Sequence, residues 1–111
     1  MNNRLDIYHQ AVIFMREHLF ERLFVEDVAQ HCSISMSGLE KIFSCYAKTG
    51  VMRYFLDMKL EYVAKTLKKG YTVNDLAKKL NFSSAAHLSM TFKKKYGVSP
   101  LKYKHELKEK I

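Results

Sequence analysis

The chain repeats itself, and the repeat limits what it can fold into. The run Val25-Glu26-Asp27-Val28-Ala29-Gln30-His31-Cys32-Ser33-Ile34-Ser35 returns 48 positions later as Val73-Asn74-Asp75-Leu76-Ala77-Lys78-Lys79-Leu80-Asn81-Phe82-Ser83. One residue is added to the second copy after Ser83. The correspondence then continues at an offset of 49, pairing Leu39 with Leu88, Phe43 with Phe92 and Tyr54 with Tyr103. Two copies of one small unit therefore fill most of the chain.

Each copy has the pattern of a helix-turn-helix: a short helix with Val or Leu facing inward, a tight turn, and a second helix carrying Leu and Phe inward. Ala29 and Ala77 are small where two helices must cross closely, and Ile34 and Phe82 plug the turn. Ser35 and Ser83 are the expected N-caps of the second helices, because a serine hydroxyl can accept from the unpaired backbone donors that open a helix. The second helix of each copy is thereby turned outward, available to a partner.

Helical periodicity accounts for nearly the whole chain, which predicts an all-α fold. Ile7, Ala11, Met15 and Leu19 fall four apart and predict an opening helix over about 5–20. The first copy supplies helices over 25–31 and about 35–47. The longest element runs over about 52–68, where Tyr54, Phe55, Met58, Tyr62 and Leu67 recur at helical spacing, and Lys68-Lys69-Gly70 ends it. The second copy supplies 73–79 and about 83–95. Gly97-Val98-Ser99-Pro100 stops that helix and starts a last one towards Lys110, with Ser99 as cap and Pro100 at the first helical position. Lys48 stands where Gly97 does in the other copy, so the first outward helix is expected to end later, with the turn at Thr49-Gly50.

Charge separates the halves. Residues 1–52 hold five Lys/Arg and six Asp/Glu, a net of −1, and residues 53–111 hold fourteen and five, a net of +9, which together give the formal +8. A basic excess confined to one half draws a polyanion, nucleic acid first and an anionic membrane second. The lysines are spread over several helices, unlike the single amphipathic face of a membrane-surface binder. No apolar run approaches the roughly 20 residues of a membrane span, and the start of the chain reads neither as anchor nor as secretory signal, so a cytoplasmic protein is expected. Cys32 and Cys45 lack the paired spacing of a zinc site and read as small buried hydrophobes. No phosphate-cradling glycine loop or ligand cluster is present, and His9, His18, His31, His87 and His105 fall on separate helices. Neither enzyme activity, metal nor cofactor is expected.

The second copy and its tail, Leu76-Ala77, Leu80-Asn81-Phe82-Ser83-Ser84, His87-Leu88-Ser89, Phe92-Lys93-Lys94-Lys95-Tyr96-Gly97-Val98-Ser99-Pro100 and Tyr103, resemble the signature of the AraC/XylS family of bacterial transcription regulators. The stretch Tyr54, Lys59-Leu60-Glu61 and Lys65-Thr66-Leu67 resembles that family's central helix. The resemblance covers roughly residues 5–107. It implies one DNA-binding domain over 1–111, of seven helices: a first helix-turn-helix subdomain over about 5–51, a linker helix over 52–69 and a second subdomain over 70–111. It further implies that two recognition helices enter neighbouring major-groove segments on one face of double-stranded DNA. Two readers on one chain must stand about one helical turn apart, about 34 Å, and a central helix of about sixteen residues, about 24 Å long, suits as spacer.

Carried over position by position, the resemblance places Ser37, Glu40 and Lys41 of the first recognition helix against base edges, and Ser84, Ala85, Ala86, His87, Ser89 and Met90 of the second. Lys41 can reach guanine O6 and N7, Glu40 can accept from a cytosine amine, and the two alanines can touch a thymine methyl. Met90 departs from the family, which often has Arg there. Ser35 and Ser83 at the helix starts, and Lys93, Lys94 and Lys95 behind the second reader, are the expected phosphate contacts. With few directional donors, the second reader is expected to add affinity and shape recognition, and the first to carry more of the specificity. Ser33 and Asn81 stand where the family usually has Gly; asparagine tolerates a left-handed backbone and serine does so less well, so the first turn is expected to be slightly strained or differently shaped.

Two other readings stand beside this one. Phe43, Phe92, Tyr54 and Tyr103 could form a stacking platform for single strands, but each recurs at the inward phase of its helix, which favours core packing. A protein-interaction module of helix-turn-helix fold, with weak or non-specific DNA binding, would also suit the alanines and Met90. Beyond DNA, RNA polymerase is an implied partner. An effector-binding or dimerisation domain, which many family members carry, is not represented in this chain.

Overall fold

The computed structural model describes residues 3–109, with side chains described as far as Glu106. Seven helices and no strands are present among the described residues: α1 Arg4–Glu17, α2 Val25–His31, α3 Met36–Tyr46, α4 Val51–Leu67, α5 Val73–Lys79, α6 Ala85–Tyr96 and α7 Pro100–Glu109. The predicted opening helix is shorter than expected at its end, because the His18 N–H closes onto Phe14 and Met15 carbonyls and the chain turns there. The expected extension of the last helix to Lys110 lies outside the described residues.

The chain divides into two compact units, Met1–Met58 and Lys59–Ile111, with the dividing point inside α4. In the first unit α1 packs on α2 and α3, and α2 packs on α3. Its core holds Ala11, Met15, Val28, Ala29, Leu39, Phe43, Val51 and Phe55. Tyr8 and Tyr54 lie beside Phe43, with Tyr54 edge-on to it at 5.4 Å. Burial and then the hydrogen bond with Tyr54 push the Tyr8 phenol up to about 12. In the second unit α5 packs on α6 and α6 on α7, and Leu60, Val63, Leu67, Leu76, Leu80, Leu88 and Phe92 are buried. Tyr103 stands edge-on to Phe92 at 5.4 Å, the counterpart of the Tyr54–Phe43 contact and a core packing arrangement, as the spacing predicts.

Both helix-turn-helix turns are closed by the same backbone device. At the end of α2, Ile34 N–H donates to Ala29 C=O at 3.0 Å and Ser33 N–H to Gln30 C=O at 3.1 Å. After α5, Phe82 N–H donates to Ala77 C=O at 2.9 Å and Asn81 N–H to Lys78 C=O at 3.3 Å. This pair of bonds requires a left-handed residue just past the helix. Ser33 at φ 54° and Asn81 at φ 64° take that conformation. Ala29 and Ala77, whose carbonyls accept the farther-reaching of these bonds, are both buried.

The helix starts complement one another between the copies. Asp27 Oδ2 accepts from Phe24 N–H at 2.8 Å, whereas Thr72 Oγ1 accepts from Asp75 N–H at 3.1 Å, so each copy carries one half of a capping box. Ser35 caps α3 as expected, accepting from Gly38 N–H at 3.1 Å. The cap of α6 is Ser84 and not Ser83: its Oγ accepts from His87 N–H at 3.0 Å. Ser83 is thus the added residue, and it lengthens the second turn. In the tighter first turn a Cβ on Gly38, the counterpart of His87, would lie 3.0 Å from Ile34 Cγ1 and from Ser35 Oγ.

Two further expectations are corrected. The end of α3 is not delayed to Thr49-Gly50, because Lys48 itself takes the left-handed conformation at φ 60°, matching Gly97 at φ 81°. Cys45 is exposed on α3, and only Cys32 is buried.

A left-handed backbone costs an ordinary L-residue about 1–2 kcal/mol, from which the extra freedom of an unfolded glycine removes about 0.4–1 kcal/mol. Ser33→Gly is therefore expected to stabilise the protein by roughly 0.5–1 kcal/mol in urea unfolding, and Asn81→Gly by less, since asparagine tolerates that region. A loss of stability in Ser33→Gly would contradict the strain at this turn.

Candidate nucleic-acid interface

The cap and turn of each copy fix which side chains of α3 and α6 are left outside. On α3, Leu39, Ile42 and Phe43 are buried, and Ser37, Glu40, Lys41 and Ser44 are exposed. On α6, Leu88 and Phe92 are buried, Ala86, His87, Met90, Lys93 and Lys94 are exposed, and Ala85 and Ser89 are half-buried. With the added residue taken into account, Ser37 corresponds to Ala86, Glu40 to Ser89 and Lys41 to Met90. The same three positions thus carry hydroxyl, carboxylate and ammonium in one copy, and methyl, hydroxyl and thioether in the other.

Glu40 already has a structural duty that sequence reasoning missed. Its Oε1 accepts from Val51 N–H at 3.0 Å, satisfying a donor that opens α4. Gly50, whose carbonyl accepts from Tyr54 N–H, has no side chain with which to cap that helix. In the second copy the position of Val51 is Pro100, which has no N–H. There Ser99 caps α7 locally, its Oγ accepting from Lys102 N–H at 3.3 Å. Val51 without a neighbouring cap, set against a proline in the other copy, was the signal that could have found this bond.

Beside Glu40, Lys41, Ser44, Lys48 and Thr49 line an open hollow of about 410 Å³. Beside α6, Tyr71, Ala85, Ala86, Ser89, Pro100 and Leu101 line an apolar groove of about 420 Å³. The hydroxyls at the start of α6 are turned inward on the helix: Ser83 Oγ lies 3.1 Å from His87 Nδ1, and Ser84 is occupied as the cap. Of the three lysines at the end of α6, Lys93 and Lys94 are exposed, while Lys95 is half-buried with its ammonium 5.6 Å from the Tyr96 ring centre. By unit, residues 1–58 hold six Lys/Arg and seven Asp/Glu, and residues 59–111 hold thirteen and four. The positive field therefore belongs to the unit that carries α6.

A family profile described as a helix-turn-helix domain matches residues 28–106. The chain belongs to the AraC-type helix-turn-helix family of DNA-binding transcription regulators. This AraC-type chain is 30% identical over 105 residues to the HTH-type transcriptional regulator ArgR of Pseudomonas aeruginosa, covering 90% of this chain and 32% of that protein. It is 34% identical over 92 residues to the HTH-type transcriptional regulator YidL of Escherichia coli, covering 82% and 31%. It therefore spans about a third of the length of these relatives. Among solved structures, an AraC-type transcriptional regulator from Chromobacterium violaceum has the same fold, with a TM-score of 0.88, 23% identity and 92% of each chain covered. The DNA-binding domain of AdpA, solved in complex with a target DNA, has a TM-score of 0.84 at 21% identity, covering 92% of this chain and 93% of that one.

Among the described residues, no group of three or more His, Cys, Asp and Glu side chains is placed to hold a metal ion, and no helix is long and apolar enough to cross a membrane.

Loss of a side chain that caps a helix costs about 0.5–2 kcal/mol. Glu40→Ala is expected to lower stability by about 1 kcal/mol, and Glu40→Gln, which keeps an acceptor oxygen, by less than half of that. Thermal unfolding of the two variants checks this. Equal damage from both would show that the bond to Val51 contributes nothing.

Proposed function

We propose that this chain binds double-stranded DNA sequence-specifically, as the reading domain of a bacterial transcription regulator, with α3 and α6 each entering one of two successive major-groove segments. The observation that carries this reading is the repeat at the surface: equivalent positions of two capped helices, Ser37 and Lys41 on one and Ala86 and Met90 on the other, are exposed while their partners Leu39, Phe43, Leu88 and Phe92 are buried. Lys41 is the principal base reader, reaching guanine O6 and N7. Glu40 has one oxygen left for a base while the other holds Val51, and Ser37 lies on the same turn. On the second reader Ala85, Ala86, Ser89 and Met90 meet bases. Ser84 serves as its cap, and His87, braced through Nδ1 by Ser83, presents its other ring nitrogen. Ser35, Ser83, Lys93 and Lys94 contact phosphates, and Lys95 adds charge from the face of Tyr96.

Specific and non-specific affinity then separate by unit. The near-neutral first unit carries more of the sequence discrimination, and the basic second unit supplies most of the counterion release and hence of the salt dependence. The work is binding without catalysis or cofactor, in the cytoplasm. The subdomains run over about 5–51 and 70–111 with a linker helix between. RNA polymerase is a partner, and signal sensing or dimerisation falls to a separate domain, for which relatives three times as long have room.

One observation favours a second reading. Ala86 and the 60% exposed Met90 present an apolar surface that suits a protein partner, with DNA binding weak or non-specific. Gel-shift titration of selected and random duplexes at two salt concentrations separates the two, since a protein-interaction module gives either no shift or the same salt-sensitive shift on both.

Lys41→Ala is expected to cost about 1–3 kcal/mol against the preferred base at one position and to relax preference there. Lys94→Ala is expected to weaken all sequences alike and to lower the salt slope by about one unit. Equal loss on selected and random DNA for Lys41→Ala would remove it from the base-reading set.

A further inference from the structure

Three hydroxyls at and along α6 are already engaged within the helix and its turn. Ser83 Oγ pairs with His87 Nδ1 at 3.1 Å, and Ser84 Oγ accepts from His87 N–H at 3.0 Å. Thr91 Oγ1 lies 3.0 Å from the carbonyls of both His87 and Leu88, to which it donates. What stands outward between these groups is the methyl of Ala86 and the thioether of Met90, which is 60% exposed. The two are four residues apart and so lie on one face of the helix. Met90 occupies the position that Lys41 holds on α3.

An exposed apolar pair at a base-reading position has one match in the major groove. Of the four bases only thymine offers an apolar group there, its 5-methyl, while the others present donors and acceptors that Ala86 and Met90 cannot satisfy. An unbranched thioether adapts to a methyl without a fixed geometry. Placing it against a guanine or cytosine edge would instead strip water from polar groups without replacing their hydrogen bonds.

Resting on the DNA-binding reading above, we infer that Met90 and Ala86 make α6 a thymine-methyl reader, so that the second half-site is selected by apolar contact while the first is selected by charge and hydrogen bonding. The second helix is then a specificity element of its own kind and not merely a clamp.

The test begins with selection of duplexes from a random pool by the wild-type protein and by Met90→Arg. Arginine at this position exchanges an apolar contact for a guanine-reading fork, so the base pair at which preference moves from thymine to guanine marks the contact. Deoxyuridine, which lacks only the methyl, is then placed at that position. Wild-type protein is expected to lose about fourfold in affinity, the worth of one buried methyl. Met90→Ala, at an exposed position that leaves the fold intact, is expected to bind the thymine and uracil duplexes alike. Wild-type protein that still selects a sequence but binds both duplexes equally overturns the methyl reading and leaves sequence-specific binding standing. The same holds for Met90→Arg selecting an unchanged sequence. A wild-type protein that selects no sequence even at low salt overturns both.

Discussion

Everything this chain offers to a partner depends on one backbone hydrogen bond made twice, from Ile34 to Ala29 and from Phe82 to Ala77. Each bond reaches back five residues, which the backbone allows only if the residue before it is left-handed. Ser33 and Asn81 accept that conformation without the freedom of glycine. In return α3 follows α2 after four residues and α6 follows α5 after five, Ala29 and Ala77 are buried, and α3 and α6 start with their caps in solvent. The buried positions of each second helix follow from that start, and so do the exposed ones.

Much of this was legible from the repeat. Internal correspondence turns one sequence into two readings of the same structure, so Phe43 and Phe92 could be assigned inward together, and Tyr54 and Tyr103 with them. Their edge-on contacts agree to within 0.1 Å in separation. Expectations failed where the copies differ by something a pattern cannot see. The added residue placed two serines side by side at the start of α6, and periodicity alone does not say which hydroxyl faces the helix's own donors. Lys48 read as an obstacle because lysine rarely takes positive φ, yet the turn imposed that conformation all the same. Cys45 was read as buried on residue type, although it corresponds to the exposed Lys94. The bond from Glu40 to Val51 spans 11 residues and two helices, beyond the reach of a local pattern.

The site is asymmetric in a way the fold is not. Two subdomains with the same local logic differ in charge and in surface chemistry: a near-neutral unit whose outward helix shows Ser37, Glu40 and Lys41, and a strongly basic one whose outward helix shows Ala86, Ser89 and Met90 at the same positions. Architecture here is a common mount, and the two copies differ at a few exposed positions that the core does not constrain.

Pro100 has a consequence for which of the two outward helices is free to vary. Because proline asks for no acceptor, the residue at the position of Ser89 owes nothing to the start of the following helix, whereas its twin at Glu40 is tied to Val51. Substitution at Ser89 on α6 therefore leaves the start of the following helix intact, whereas substitution of Glu40 on α3 takes an acceptor away from Val51, so the outward face of α6 is the freer of the two to vary.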